Sequence, residues 1–405
     1  MTVKPDGAMR MRETGKQADF APALPFALVS DRETVVGKGC LGVVPQGAAP
    51  VAERVRDYFA GRRDGAPLLV GALPYDEHAP AHLFQPAEVS RSEGRACFAA
   101  AFPPPALVRA KPQNTALWSA VPEPLLEAYR AAVAGALARM AQGDLRKVVL
   151  SRSLRLTSSA AIDTSALLRT LAEDSEVTGF CVPLPSENGP RALVGATPEL
   201  LLAKTGAAIL SHPLAGSARR LREPSDDRAA AEGLRASEKD NREHAEVVSA
   251  ILDQLAPYCA QLGAPEGTQI VSTVSMWHLG TRIVGRLRDA ATSSVELASL
   301  LHPTPAVCGT PREAAAKAIA ELEGYDRGFY AGAVGWCDAA GDGVWHVAIR
   351  CAEIAGNTAR LYAGAGIVRG SDPALEGEET SAKFAALLRA LGIDEEGRPL
   401  TEDSL

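Results

Sequence analysis

Two stretches of helical periodicity carry acids where their apolar stripes should continue. Over 239–255 (KDNREHAEVVSAILDQL), Val247, Val248, Ile251, Leu252 and Leu255 recur at helical spacing, and one turn earlier the stripe holds Glu243 and His244. A carboxylate and an imidazole facing a core must find partners, because an unpaired buried charge is costly. The alternative is a helix end that reaches solvent, with Lys239 and Glu243 as a surface pair. The last helix repeats the pattern. Phe384, Leu387, Leu388 and Leu391 form its stripe, while Glu376, Glu379 and Lys383 stand at i, i+3 and i+7 in one row and Glu378 falls to the other side. Two acids on one ridge could bind a hard cation through oxygen, and Mg2+ needs only one or two carboxylates beside water and substrate. A solvated charged ridge would give the same pattern.

Single residues elsewhere raise similar questions. Lys147 opens the alternating strand KVVLSRSLRL (147–156) and shares a face with Val149 and Ser151. It either faces water or, if buried, has a lowered pKa and can act as a base. Glu199 follows Pro198 at the corner of LVGATPELLLAKTG (193–206), which reads as two short strands; such an acid is commonly a turn or helix-start residue. Arg350 lies within the apolar run WHVAIRCAEI, expected to share a strand face with His346 and Ala348, where a guanidinium wants a carboxylate. SHPLAGSARR (211–220) and YAGAGIV (362–368) place glycines where backbone N–H groups could approach an anion. No GxxxxGK[ST], GxSxG or HExxH occurs, which removes the common nucleotide-hydrolase, serine-hydrolase and zincin readings. His212, His278, His302 and His346 show no helical metal spacing, and Cys308 reads as a core thiol.

The elements that must position these groups belong to an acidic globular chain. Its 405 residues, 46% hydrophobic and 22% charged, exclude a disordered or collagen-like polymer and suggest two or three units or one large enzyme domain. A net charge of -7 argues against nucleic acid as a partner. No apolar run reaches the ~20 residues of a membrane helix, and the first twenty residues lack an apolar signal core, so a cytoplasmic location is expected. Seven scattered cysteines without a CxxC pair read as reduced. Residues 1–20 read as disordered, 26–102 as strands between Gly/Pro/Asp turns, 103–124 as a connector, and 125–142 as a helix stopped by Gly143. Near the end, 332–354 reads as a hairpin around AAGDG and 359–368 as a further strand. Strands and isolated helices without a βαβ rhythm point to an α+β fold.

Taken in order, KVVLSR, GATPELLL, HPLAGSARR, SEKDNREH, MWHLGT, LLHPTPAVCGTP, GFYAGAVGWCD, WHVAIRC, LYAGAGIV and the ExxExxxK of 376–383 resemble the chorismate-utilising enzymes. That superfamily includes isochorismate, salicylate, anthranilate and aminodeoxychorismate synthases. The dense resemblance covers about 123–392, and FALVS and VGALPYD extend it weakly toward residue 26. Three positions are similar to the isochorismate synthase branch, closest to its enterobactin-pathway type. Lys147 falls where members that add water at C2 of chorismate carry a lysine base and ammonia-using members usually carry glutamine. PLAGS gives Ala215 where aminodeoxychorismate synthase has the nucleophilic lysine of PIKGT. PLAGSARR and MWHLGT match the branch's versions of those segments. No glutaminase-like region is present, so no glutaminase subunit is expected.

The resemblance implies a single large α/β sandwich of the anthranilate and aminodeoxychorismate synthase type, with two facing sheets, helices outside and the site between the sheets. Residues 21–122 would form its N-terminal part, 123–395 the chorismate-binding catalytic region and 396–405 a polar tail. It implies a reversible reaction in which water adds at C2 of chorismate and the C4 hydroxyl leaves. Lys147 would activate the water and Glu199 protonate the leaving hydroxyl, which requires an uncharged amine and a protonated carboxyl. Glu243 and Glu379 match direct Mg2+ ligands, with Glu246 and Glu376 holding metal-bound waters. Tyr330 and Arg350 match the pair on the enolpyruvyl carboxylate, and backbone near Gly216, Ser217, Gly364 and Ala365 would hold the substrate. Lys383 would lie near its anionic end, and His278 matches a site histidine of open role. Gly377 departs from the bulky aromatic expected there and would loosen the start of the last helix. Salicylate synthase, which goes on to eliminate pyruvate, and a non-catalytic chorismate-binding relative are the alternatives. A monomer supplying siderophore biosynthesis, in preference to menaquinone, is the expected setting.

Overall fold

The computed structural model describes residues 20–62, 68–103 and 116–400. The expected disordered N-terminus up to residue 19, the end of the polar tail and most of the 103–124 connector lie outside the described residues. Alternating side chains place the central strands between two apolar layers. In Phe26–Val29, Phe26 and Leu28 enter one core while Ala27 and Val29 enter another. Among the described residues this pattern builds antiparallel sheets of ten, nine and three strands.

The ten- and nine-stranded sheets face one another across the largest core. Phe180, Val182 and Leu193 of the first meet a layer that includes Leu69, Phe84, Leu202 and Trp345 of the second. Helices cover the outer faces. Thr164–Leu171 and Pro373–Leu391 bury Leu168, Phe384 and Leu388 against Val194 and Leu361. Leu126–Gln142 and Arg312–Glu323 set Tyr129, Val133, Ala315 and Ala318 on Val148, Leu150 and Ile367. Ser294–Leu301 packs on the nine-stranded sheet. The fold is the expected α+β sandwich.

The N-terminal strands are not a separate layer. Phe26–Val29 pairs with Thr178–Leu184 in the ten-stranded sheet, and Leu68–Leu73 pairs with Ala333–Asp338 in the nine-stranded one. The segment read only as strands also contains the helices Val51–Ala60 and Ala96–Ala101. The first buries only Val55 and Tyr58, too sparse a stripe to signal a helix. The connector ends in a strand, Trp118–Glu123, paired with Lys147–Ser158.

The chain changes sheets at two points; at the first the two strands expected around the Thr-Pro-Glu corner are present, and at the second the hairpin expectation needs correction. Arg191–Thr197 lies in the ten-stranded sheet and Leu200–Thr205 in the nine-stranded one, so the Thr-Pro-Glu corner is a crossing between layers. The 332–354 hairpin stops at Val347. Its arms Ala333–Asp338 and Gly343–Val347 pair around a turn, and Cys351–Ala355 then joins the other sheet. Arg350 therefore leaves the strand, in a left-handed conformation with φ 51°. Apolar alternation continues through the crossing, which hides it in the sequence. The two crossings lie side by side: Ala196 N–H donates to Arg350 O (3.1 Å) and Val347 N–H to Glu199 O (3.1 Å).

The last helix is docked by Phe384, which is fully buried. Phe384→Ala should lower unfolding free energy by about 3–5 kcal/mol, read from urea denaturation; a loss below about 1 kcal/mol would mean the helix is not anchored through this ring.

Candidate active site

The paired crossings aim Glu199 and Arg350 into one cleft. Glu199 is buried, and its N–H donates to Thr197 Oγ1 (3.2 Å), holding the corner. Burial pushes its carboxyl up to about 8, against the opposing pull of Lys147, a hydrogen bond from the Leu214 backbone, and Arg350 and Lys383. Near neutral pH it is a protonated acid. Arg350 Nη2 donates to His278 Nε2 (3.4 Å). Burial, with Arg350 and Lys383 adding to it, drives His278 well below its ordinary value, so the ring is neutral.

Lys147 is fully buried, not solvent-facing. Its strand is paired on both sides, Lys147 opposite Val368 and Thr310. Nζ lies 3.0 Å from Glu243 Oε1 but makes no well-directed hydrogen bond. Glu243 comes from the helix Glu238–Leu255, which Ser237 caps by accepting from Asp240 N–H (3.2 Å). Both polar residues that interrupt this helix's stripe are buried, and His244 pairs through Nε2 with Thr281 Oγ1 (2.6 Å). Gly366 lies directly against the Glu243 carboxylate, and a β-carbon there would overlap Oε1.

The last helix supplies the second acid row. Asp372 caps it by accepting from Ala374 N–H (2.8 Å) and Leu375 N–H (3.1 Å). Glu376 is 2% exposed. Its Oε1 accepts from Lys239 Nζ (2.7 Å), while Oε2 is buried without a partner. Burial and the neighbouring Glu379 raise Glu376, and Lys239 partly offsets them. For Glu379, burial is outweighed by Lys383, 2.5 Å away, and by Lys239 and Ser217, so it lies below the ordinary carboxylate range. Ser217 Oγ donates to Glu379 Oε1 (2.9 Å), and Lys383 Nζ donates to Gly364 O (2.8 Å). Gly377 does not loosen this helix. The helix runs unbroken, and a β-carbon at Gly377 would stand 3.0 Å from Leu126 Cδ1, so the glycine admits the neighbouring helix.

The cleft is open to solvent on one side, and its empty space, that opening included, is about 680 Å³. Gly216, Ser217, His278, Tyr330, Gly364 and Lys383 line it with Glu199, Glu243, Arg350 and Glu379. Tyr330 stacks on Tyr362 (centroids 4.7 Å apart), and burial raises its hydroxyl, so it is a proton-bearing donor. Ala365 sends its side chain into the core beneath the helices, leaving only its backbone for the site. Glu246 stands apart: it pairs with Arg146 (3.2 Å) and lines a different pocket with Arg242 and Arg369.

Two supports had no role in the sequence reading. Glu323 and Arg327, both 2% exposed at the side chain, form an ion pair at 2.5 Å behind the cleft. Glu323 Oε1 also accepts from Ser151 N–H (2.6 Å) and Ser151 Oγ (2.8 Å), and Arg327 Nη2 donates to Val149 O (2.8 Å). The glycine segment Leu214–Arg219 is itself a strand of the small sheet, and Asp227 ties the helix Pro224–Ala236 to that sheet, accepting from Arg220 Nε (2.9 Å) and Trp277 Nε1 (2.9 Å). Glu323 ends the helix Arg312–Glu323 and Arg327 lies beyond its Gly324 stop, so helical spacing gave no signal for the pair.

The carboxylates suit a hard divalent cation. Two helices bring Glu243 and Glu379 to one cleft, with a free buried oxygen on Glu376 beside them. Among the described residues no three His, Cys, Asp or Glu side chains close into a complete cage. A cation held here would fill its shell with water and an anionic substrate, the habit of Mg2+. The same cleft is lined by a neutral acid, Glu199, and a guanidinium, Arg350, with the buried amine of Lys147 behind Glu243, a set fitted to proton transfer on a small anion.

Comparison with known proteins gives a consistent picture. Residues 106–392 match the family model described as chorismate binding enzyme. The chain is 44% identical over 387 residues to isochorismate synthase DhbC of Bacillus subtilis, covering 91% of this chain and 94% of that protein. It is 42% identical to isochorismate synthase EntC of Escherichia coli K12, covering 81% and 82%. A solved Bacillus anthracis structure, assigned as a 2,3-dihydroxybenzoate-specific isochorismate synthase, superposes with TM-score 0.84 at 41% identity, covering 91% and 96%.

Gly366→Ala should force the Glu243 carboxylate away from Lys147 and destabilise the fold by about 1–3 kcal/mol in chemical denaturation. Unchanged stability would mean that the carboxylate has room to move.

Proposed function

The chain belongs to the chorismate-binding enzyme family, and on that premise we propose that it is an isochorismate synthase, an isomerase that acts reversibly on chorismate. The observation that carries this reading is Glu199: a buried carboxyl, held protonated to about 8, facing the cleft that Lys147 and Glu243 close from behind. In the reaction, Lys147, uncharged once the charge of Glu243 is shared with a cation, would take one proton from the water whose oxygen bonds to C2. Glu199 gives one proton to the C4 oxygen as the C4–O bond breaks and the ring double bonds shift. One proton is taken and one given, so the net reaction is an isomerisation.

Arg350 and Tyr330 would hold the enolpyruvyl carboxylate, the guanidinium offering a planar pair of donors and the phenol one more. Backbone at Gly216, Ser217, Gly364 and Ala365 would line the substrate, with Lys383 near its anionic end and neutral His278 orienting Arg350. Mg2+ on Glu243 and Glu379, with waters on Glu376 and on Glu246 once Arg146 releases it, would neutralise the ring carboxylate and share the charge of Glu243. Much of the rate acceleration then comes from positioning and fixed charge. We place its product in the supply of a 2,3-dihydroxybenzoate- or salicylate-based siderophore, in line with the description of the B. anthracis relative as 2,3-dihydroxybenzoate-specific. The enzyme would act in the cytoplasm as a monomer without a glutaminase subunit; among the described residues no helix is long and apolar enough to cross a membrane.

Incubation with chorismate and Mg2+ should yield isochorismate without pyruvate by chromatography; salicylate with pyruvate would overturn the isomerase assignment. Lys147→Ala and Glu199→Gln should each lower kcat by about 10²–10⁴-fold while chorismate binding stays measurable. A near-wild-type rate in either variant would remove that residue from the mechanism. Because Glu199 must carry its proton to act, kcat/KM should fall as pH rises through about 8. A rate still climbing two units above that would contradict the assignment.

A further inference from the structure

Lys239, read as a surface partner of Glu243, stands elsewhere. It crosses from the helix Glu238–Leu255 to the helix Pro373–Leu391 and puts Nζ 2.7 Å from Glu376 Oε1. Its side chain is 31% exposed, whereas Glu376 is 2% exposed with its other oxygen unpartnered. The carboxylates that act on Lys239 are Glu376, Glu379 and Glu243, in that order. Each of these three acids has one lysine: Lys147 with Glu243 (3.0 Å), Lys239 with Glu376 and Lys383 with Glu379 (2.5 Å). The proposed chemistry uses Lys147 and the substrate uses Lys383. Lys239 is left without a task in either.

We propose that Lys239 is a positioning residue that serves as a built-in monovalent counter-ion for Glu376 and thereby sets the affinity of the acid cluster for its divalent cation; this rests on the reading of Glu243, Glu379 and Glu376 as the cation-holding set. A dication approaching Glu376 works against the charge of Lys239 within a few ångströms, where water screens only part of the repulsion. The lysine stem is flexible and its side chain is 31% exposed, so it can withdraw toward solvent when the dication arrives, giving up its tie between the two acid helices. The cluster would thus be tuned toward a readily exchanged cation.

The test is calorimetric titration of Mg2+ into the full chain at pH 8, comparing wild type with Lys239→Met and Lys239→Arg. Lys239→Met should bind Mg2+ at least about tenfold more tightly, and the charge-keeping Lys239→Arg should stay within about threefold of wild type. The Mg2+-induced rise in melting temperature should be larger for Lys239→Met, a readout independent of turnover. Unchanged or weaker binding by Lys239→Met would overturn the counter-ion role while leaving the cation set intact. Should Lys239→Met not fold, a change beyond tenfold in Lys239→Arg would overturn it as well. Wild-type protein without saturable Mg2+ binding would instead sink the cation set, and this proposal with it.

Discussion

The two neighbouring crossings between sheets are the constraint on which the rest of the site depends. A chain that leaves one sheet for another must satisfy backbone groups that no strand neighbour can reach. Here the crossings satisfy one another, through Ala196 with Arg350 and Val347 with Glu199. The adjoining turn adds Ala331 N–H to Ala348 O (2.8 Å). Arg350 and Ala331 accept left-handed conformations, φ 51° and 59°, at a cost of about 1–3 kcal/mol each. In return, an acid and a guanidinium emerge between apolar layers at points locked by hydrogen bonds from both sheets.

That placement decides the electrostatics. Glu243, Glu376 and Glu379 each have a lysine within 3.0 Å. Glu199 has no ion-pair partner of its own and is left to burial, which keeps its proton on. Carboxyls of one residue type are thus divided by environment into lysine-paired side chains and an acid that keeps its proton, the separation that acid–base chemistry needs near neutral pH. Behind them, the Glu323–Arg327 pair holds the Lys147 strand through Ser151 and Val149, so the amine sits on a rigid rail.

Much of this was legible in the chain. The helices that carry Glu243 and Glu379 were readable because their apolar residues kept helical spacing, and the acids stood out as interruptions of it. Ordered motifs tied Lys147, Glu199, Tyr330 and Arg350 to one family, while local pattern alone left Lys147 facing water. The crossings were not legible. Alternation has the same period on either side of residues 197–200 and 348–350, so it cannot reveal which sheet a strand has entered. Lys239 was misplaced for a related reason: i, i+4 spacing advertises Glu243, but the partner it takes lies 137 positions away on another helix. Partners that far apart leave no mark in local sequence.

The interleaving of the N-terminal strands has a consequence for how the molecule is made. Leu68–Leu73 sits inside the nine-stranded sheet against Ala333–Asp338, and Phe26–Val29 lies inside the ten-stranded one against Thr178–Leu184. During synthesis each of these early strands finds one partner close by, in Glu33–Lys38 and His82–Gln85, but must wait for its second neighbour until far more of the chain has been translated. The last helix, which brings Glu376 and Glu379, arrives later still. Such non-local wiring makes for slow assembly with exposed strand edges, and it ties the birth of the acid cluster to near-completion of the polypeptide.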